Sequence, residues 1–454
     1  MRKLRQAIEV RGFPGLRIET GGTHRSCVRR GTLLAAILLC SISSVCIGEA
    51  RDVVCDGGFG AFSSKLKNGV TVTVGAQKEA GFASHACQAK ITWNQNELTV
   101  AHDAAQVDID VLGADLGLGT PMVAFQFKNS YGDARMNYAV YSLDATPRPL
   151  RTLSDGDFYS AADTDMDGRV EIWTGDAKAA NGFEGVPLAD FDFAPPVVLR
   201  FEQGRLMDVS AEFTSYYDKL IAQVRAGLDP QGLVDFKESD GRPMTRITMP
   251  MDALRRLVKT KIKVLEIVWC YLNSGREQDA WKALAETWPA EDVDRIRTAI
   301  LDAQARGIRS EIDGVSTSAS TLRKKPHAEI FDFVKMENSQ IAPQMIGSGR
   351  RGAPSISGTS MPSSIPPNVT RPEAIHLFTP QLEEGQSFPE FGLSMDLTLD
   401  AAGKVRSAKM TENVDRGPVV DGLLSAAADW KFTPATRDGK PMACSFRLTV
   451  SPTR

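Results

Sequence analysis

The sequence predicts an α+β protein of several domains: an N-terminal all-β domain, a helical module and a small C-terminal α+β domain. Its 454 residues suffice for two or three domains, each with its own core. Short β-type runs fill the chain up to Leu206, where the hydrophobic pattern changes to helical spacing. A segment rich in Pro, Gly and Ser follows the helical part. The predicted boundaries are 1–50, 51–206, 207–346, 347–372 and 373–454.

Residues 1–50 have the features of an export signal. Eight Lys or Arg and two acidic residues occur in 1–30, followed by the apolar run Leu33–Leu39. The small residues of Gly48-Glu49-Ala50 resemble a signal-peptidase site. A retained N-terminal membrane anchor is the alternative, because the uncharged stretch Gly31–Gly48 is about the minimum length for a span. Both alternatives predict a periplasmic or secreted body on the outer side of the inner membrane.

Charge and motifs argue against several functional classes. Residues 51–454 carry 45 basic and 53 acidic groups, which predicts no nucleic-acid partner. The sequence contains no HExxH, G-x-S-x-G or P-loop pattern. Gly113, Gly117 and Gly119 are predicted to lie in an irregular loop and not in a nucleotide-binding turn. We therefore expect a protein that is not an enzyme.

The N-terminal β domain is predicted from short runs of β-branched and aromatic residues that Gly, Asn, Asp and Pro separate. Their spacing suits an antiparallel sandwich or a few propeller-like blades. The predicted strands are Val70–Val74, Lys90–Trp93, Leu98–Val100, Met122–Phe127, Tyr138–Leu143, Val170–Thr174 and Val197–Phe201.

Four cysteines lie outside the leader. In an oxidising compartment, Cys55 and Cys87 could form a disulfide that closes a loop of about 30 residues. The alternative is two small buried thiols. Cys270 and Cys444 lie on a helical and a strand pattern, so we expect both to be buried and unpaired.

The helical module is predicted from apolar residues at helical spacing, with Pro near helix starts and Gly at helix ends. The predicted helices are 209–227, Met251–Ser274, Arg276–Thr287 and Pro289–Gly307. Residues 347–372 contain five Pro, four Gly and six Ser and almost no large apolar side chain. This composition predicts a disordered or extended linker.

An acidic loop is the sharpest local motif. Acidic residues at positions 1, 3, 5 and 9, with Gly at position 6, can surround a hard cation with oxygen ligands, and a backbone carbonyl near position 7 can complete the shell. The predicted Ca²⁺ ligands are Asp163, Asp165, Asp167, Arg169 and Glu171. We expect the ion to be structural; the alternative is an unliganded acidic turn. The nine-residue pattern resembles the calcium loops of FG-GAP and related propeller-type repeats.

The C-terminal region predicts a hairpin, a helix and a last strand. Leu393–Leu399 alternates apolar and polar residues, Asp400–Gly403 is a tight turn, and Lys404–Met410 is the returning strand. A helix opens at Pro418. The run W-x-F-x-P-A-x-x-D-G-x-P then extends from Trp430 to Pro441 and precedes a strand with alternating apolar residues.

This order, and the tryptophan-containing run in particular, resembles the TonB C-terminal domain family over about residues 372–454. The resemblance implies a periplasmic domain that binds a short peptide of an outer-membrane receptor by adding a strand to its sheet edge. It also implies structural roles for Trp430, Phe432, Pro434, Asp438 and Gly439. By position, the edge would be formed by Cys444, Ser445, Phe446, Arg447, Leu448, Thr449 and Val450.

The function expected from these features is that of an exported envelope protein that binds a protein partner through its C-terminal domain. As a whole, the chain resembles uncharacterised exported bacterial proteins that carry such a terminal domain. Two alternatives remain at this point. One is a periplasmic hydrolase with a catalytic β-rich domain; the other is a TonB-type energy transducer, which would require a retained anchor.

Overall fold

The structure is a computed structural model. It describes residues 53–77, 86–133, 135–191, 193–242, 250–316, 328–336, 354–357, 365–377, 389, 392–411 and 417–452. The predicted leader, 1–50, lies outside the described residues. Within the described ranges, no helix combines the length and the apolar character that crossing a membrane requires.

Three antiparallel meanders form the N-terminal part, after a short strand β1 (Cys55–Asp56) that joins the second of them. The first sheet comprises β2 (Phe62–Lys65), β3 (Thr71–Ala76), β4 (Cys87–Trp93) and β5 (Asn96–Ala104). The second comprises β6 (Gln106–Ala114), β7 (Met122–Lys128), β8 (Met136–Ser142) and β9 (Pro149–Gly156), with β1 against β6. The third comprises β10 (Tyr159–Ala162), β11 (Glu171–Gly175), β12 (Pro196–Glu202) and β13 (Arg205–Asp208). A short helix, α1 (Ala177–Ala180), lies in the connection between β11 and β12.

The helical module leaves the third sheet after β13. Its helices are α2 (Thr214–Ala226), α3 (Pro230–Lys237), α4 (Met251–Asn273), α5 (Glu277–Thr287) and α6 (Val293–Arg306). The four predicted helices are confirmed, and α3 is an additional one, which begins because Asp229 caps it and Pro230 opens it. The chain then returns as β14 (Gly314–Val315), which pairs parallel to β13 and completes the third sheet.

The described C-terminal part consists of a mixed sheet, two small antiparallel sheets, a ten-residue helix and a shorter helix. The described chain continues with β15 (Phe331–Asp332), α7 (Phe333–Met336), β16 (Pro354–Ser357), β17 (Val369–Thr370) and β18 (Ala374–His376). It ends with β19 (Leu393–Leu399), β20 (Val405–Met410), α8 (Pro418–Ala427), β21 (Lys431–Phe432), β22 (Ala435–Arg437), β23 (Lys440–Met442) and β24 (Cys444–Pro452). The sheet order is β15-β24-β19-β20, with β16 also paired to β24.

The N-terminal sheets stack as layers. One buried cluster joins the first sheet to the second and includes Ile91 and Phe125. Another joins the second sheet to the third and includes Val140 and Ile172. The far face of the third sheet packs on α2 and α4 through Trp173 and neighbouring apolar side chains. The second sheet is therefore covered on both faces, which explains why β6 is buried along nearly its whole length.

The architecture confirms an α+β chain with antiparallel sheets. Besides the additional helix α3, it differs from the expectations at Gly113 and in the predicted linker. Gly113 lies within β6, so the predicted irregular loop is partly a strand. The predicted linker 347–372 contributes two strands, β16 and β17, that pair with the C-terminal sheets. Local patterns did not predict β6, in which Asp108 and Asp110 are buried and have charged partners far along the chain.

Candidate functional site

The acidic loop connects β10 to β11 and folds around the first of its carboxylates. The carboxylate of Asp163 accepts the backbone N–H groups of Asp167 and Gly168, both at 2.9 Å. Gly168 has a φ of 86°, the left-handed conformation that glycine adopts without cost. Glu171, at the start of β11, accepts the N–H of Thr164 at 3.0 Å. Residues 163–171 therefore form a tight turn in which the carboxylates of Asp163 and Glu171 face inward and accept backbone N–H groups.

Three of the predicted metal ligands come together. One carboxylate oxygen each of Asp163, Asp165 and Glu171 lies within 4.8 Å of the others. Asp167 is turned differently: its two oxygens accept the backbone N–H and the guanidinium of Arg169. The arrangement offers a hard cation three carboxylates, and a loop of this chemistry suits Ca²⁺.

Burial strongly affects these carboxylates. Burial and the neighbouring Asp400 carboxylate raise the pKa of Asp163 to about 7. Burial also raises the pKa of Glu171 to about 8; the Thr164 N–H opposes this increase, and Asp165 adds to it. Negative charges held this close repel each other, and a bound cation would relieve that repulsion. The residues therefore fit a cation by charge and by ligand type.

The acidic loop also contacts the C-terminal part of the chain. The N–H of Asp163 donates to Asp400 at 3.0 Å, and Arg406 donates to the carbonyl of Thr164 at 2.8 Å. Asp400 accepts the N–H groups of Ala402 and Lys404 as well, so one carboxylate orders its own turn and holds the acidic loop. Hydrogen bonds therefore join the acidic loop directly to the hairpin between β19 and β20.

Two ion pairs with buried aspartates join the C-terminal part of the chain to strand β6 of the second sheet. Lys404 donates to Asp110 at 2.5 Å, and Lys431 donates to Asp108. Asp110 also accepts the hydroxyl of Tyr138 and the N–H of Ala161, so its charge is well satisfied. Sequence reasoning did not find these residues, because each lysine lies far along the chain from its aspartate.

The last strand, β24, has the alternation that its sequence predicts. Cys444, Phe446, Leu448 and Val450 are buried in the C-terminal core, while the intervening Ser445, Arg447 and Thr449 are half-buried. Residues of the tryptophan-containing run have structural positions in this fold. Trp430 is buried, and the ring of Phe432 packs edge-on against Phe446. Asp438 and Gly439 form the left-handed turn between β22 and β23.

The expectation of an open edge at Cys444–Val450 does not hold within the chain. One side of β24 pairs with β19 over residues 444–450. The other side pairs with β15 at residues 444–445 and with β16 at residues 449–452. The short helix α7 packs against β24 as well. Both ends of the outer side of β24 are therefore paired, because segments from the predicted linker and from the residues before it return to the sheet.

Hydrogen bonding identifies the groups that face this outer side of β24. Pro354 lies opposite Pro452, and neither has an N–H, so this pair exchanges no hydrogen bond. Exchanging and non-exchanging pairs alternate in antiparallel strands, so exchange falls to Ser355–Ser451 and Ser357–Thr449. The Ala443 carbonyl, two positions from Ser445, accepts the N–H of Phe331 on the same side. The outward-facing backbone groups thus belong to Ser445, Arg447, Thr449 and Ser451.

The cysteines have defined states. Cys55 and Cys87 are joined by a disulfide, with their Cα atoms 5.9 Å apart, which links β1 of the second sheet to β4 of the first. Cys270 and Cys444 are buried and have free thiols. Burial raises the pKa of the Cys444 thiol to about 12, so neither its position nor its acidity suggests a reactive group.

Comparisons with known proteins give no further assignment. No family model matches the chain, and neither the curated proteins nor the solved structures include a significant match.

Proposed function

We propose that this protein is an exported envelope protein that binds an extended segment of a protein partner by strand addition to the outer side of β24. One observation carries the proposal. The outer side of β24 pairs antiparallel with the four residues Pro354–Ser357, which come from a segment with few apolar side chains. Main-chain hydrogen bonds dominate such pairing, and a partner peptide would use the same groups.

The surroundings of this edge support a binding role. β19 and the buried side chains of β24 hold the strand from one side and from below, so its outward N–H and C=O groups are fixed in direction. A preorganised row of donors and acceptors lowers the entropy cost of binding. The resemblance of the surrounding residues to the TonB C-terminal domain points to the same mode and to a partner in the envelope, such as an outer-membrane receptor.

A structural Ca²⁺ in the acidic loop belongs to the same proposal. Asp163, Asp165 and Glu171 would hold the ion. The cation would neutralise the loop that contacts Asp400 and Arg406, and so would stabilise the position of the C-terminal part. The three consecutive four-stranded meanders are compatible with the propeller-like alternative for the N-terminal part, in which such loops join adjacent strands.

Crosslinking capture from the bacterial envelope tests the binding mode. Residues 51–454 serve as the bait, together with Arg447→Pro and Arg447→Ala. The proline removes an outward-facing N–H and spares the bonds to β19, while the alanine removes the same side chain and keeps the N–H. We expect one or more envelope proteins to be captured by the unchanged bait and by Arg447→Ala and to be lost with Arg447→Pro. Equal recovery with all three baits, or no recovery, would contradict strand addition.

A further inference from the structure

We propose that Pro354–Ser357 occupies, within the same chain, the outer side of β24 to which the partner binds. The partner is an extended peptide that binds antiparallel to β24 and displaces Pro354–Ser357. The inference rests on the proposed function, because it concerns the same edge. It adds the direction of the bound peptide, the positions at which the peptide needs an N–H, and the way in which the free protein protects the edge.

The register of this pairing matches the chemistry of its residues. The two positions of β16 that exchange hydrogen bonds, Ser355 and Ser357, both have a backbone N–H. Pro354 lies at a position where the register requires no donor, opposite Pro452. A shift by one residue would direct Pro354 at an outward-facing group of β24 and lose one bond of the ladder. The sequence is therefore suited to this register.

The two segments on the outer side of β24 differ in how they are held. Phe333, next to β15, is fully buried in the C-terminal core, and Phe331 packs edge-on against it at 4.7 Å. Because of this anchoring, β15 and α7 belong to the fold itself. The segment that supplies β16 lies in a stretch of five Pro, four Gly and six Ser, and the attachment that the structure describes for it is backbone pairing with β24. Such a strand can be exchanged for another one.

The covalent tether makes the internal strand an effective competitor. A covalent tether gives a segment an effective concentration that can reach the millimolar range. A free peptide of the same four residues must therefore reach about that concentration before it displaces the internal copy. A partner succeeds at lower concentration if its segment is longer, because it then adds pairs to the ladder. The internal strand thus protects the edge from non-specific pairing and sets a threshold for partners.

The same register defines the kind of partner. Residues of the peptide opposite Thr449 and Ser451 must have an N–H, so proline is excluded there. Residues opposite Val450 and Pro452 direct their N–H away from β24, so proline is tolerated at those positions. The matching ligand is an extended peptide in which any prolines occupy alternate positions.

The test uses fluorescence anisotropy of a labelled peptide with the sequence of residues 352–359. It is titrated with residues 51–454 in four forms: unchanged, Ser355→Pro/Ser357→Pro, Ser355→Ala/Ser357→Ala, and Ser357→Cys/Thr449→Cys. The prolines remove both exchanged donors, whereas the alanines keep them. The cysteine pair lies in register across the two strands, and oxidation would lock the internal strand in place.

We expect the proline variant to bind the peptide at least tenfold more tightly than the unchanged chain and the alanine variant. We expect the oxidised cysteine variant not to bind, and its reduced form to behave like the unchanged chain. Equal affinity of the proline variant and the unchanged chain would overturn the inference. If the proline variant does not fold, the comparison of the oxidised and reduced forms decides alone, and equal binding of these two forms overturns it.

Failure of this inference is distinguishable from failure of the proposed function. The peptide experiment involves no envelope protein. If the peptide results are as expected but no captured protein depends on the Arg447 N–H, the internal strand stands and the proposed partner binding falls. Ser355→Pro/Ser357→Pro is therefore used as an additional bait. If capture depends on the Arg447 N–H and is the same for the unchanged chain and for Ser355→Pro/Ser357→Pro, the binding function stands and the displacement falls.

Discussion

Asp163 serves both its own loop and a distant part of the chain. Its carboxylate accepts two N–H groups of the acidic loop, and its own N–H donates to Asp400. The raised pKa values of Asp163 and Glu171 show that burial makes their negative charge costly. A cation in this position would reduce that cost. Cation binding by the loop can therefore be tested by measuring the stability of the fold with and without the cation.

At the residue scale, we predict that Asp163→Asn abolishes stabilisation by Ca²⁺. At pH 8.5, above both raised pKa values, the carboxylates of the unchanged chain are mostly charged and able to bind the ion. Ca²⁺ at about 100 times its dissociation constant should then stabilise the fold by about 2.7 kcal/mol. The midpoint of thermal unfolding with and without Ca²⁺ measures the effect.

Asp167→Asn is the matched control for this experiment. Its carboxylate faces Arg169, so most of the Ca²⁺ response should persist. If the unchanged chain shows no rise in its unfolding midpoint with Ca²⁺, the loop is an acidic turn without a bound ion.

The residue scale also shows what sequence spacing could predict in this site. Asp163, Asp165 and Glu171 could be predicted as a cluster because all three lie in one short segment that folds as a tight turn. Asp167 is not part of the cluster because its carboxylate accepts hydrogen bonds from Arg169, two residues away. Asp108 and Asp110 could not be predicted as interface residues, because the lysines that neutralise them lie about 300 positions away.

At the element scale, the turn between β19 and β20 depends on Gly403. Its φ is 83°, and a Cβ atom there would lie 2.0 Å from the carbonyl oxygen of Phe432. The same two residues are joined by a bond from the Phe432 N–H to the Gly403 carbonyl. The turn and the segment that begins the tryptophan-containing run are therefore packed backbone against backbone.

We predict that Gly403→Ala destabilises the fold by about 3 kcal/mol or more, because either the turn or the Phe432 backbone must shift. Gly439→Ala is the control: its φ is 76°, but a Cβ atom would meet no atom within 4 Å, so the cost should be about 1 kcal/mol. Urea unfolding followed by tryptophan fluorescence measures both. Equal losses for the two variants would show that left-handed backbone strain, and not the close approach, decides stability.

Local patterns predicted most elements, and long-range pairing decided the rest. Helices α2, α4, α5 and α6 followed from periodicity and from Pro and Gly at their ends. The strand β16 could not be predicted, since Pro354-Ser-Ile-Ser357 has the composition of a linker. It becomes a strand because β24 offers a row of outward-facing backbone groups, which no local pattern in residues 354–357 reveals.

At the scale of the whole molecule, buried ion pairs hold the C-terminal part on the second sheet. The Lys404 side chain is nearly inaccessible to solvent and donates to Asp110 both at the carboxylate and at the carbonyl oxygen. Burial lowers the pKa of Lys404, and the attraction of Asp110 opposes this shift. Removal of one partner leaves the other charge buried without compensation.

We predict that Lys404→Met destabilises the protein by about 3–5 kcal/mol, and that adding Asp110→Asn to it costs less than the sum of the two single changes. Lys440→Met, at an exposed position in β23, should change stability by less than about 0.5 kcal/mol. Urea unfolding of the single and double variants gives the coupling energy. Strict additivity would mean that the ion pair does not hold the interface.

The return of the chain from the helical module at β14, beside β13, has a consequence for how this protein could change over evolution. Residues 209–313 leave and re-enter one sheet at neighbouring places, because Asp208 pairs with Val315. Parallel strands require a crossover, but they set no upper limit on its length. The module can therefore grow, shrink or be exchanged for another crossover while the paths of the three meanders and of the C-terminal sheet stay the same.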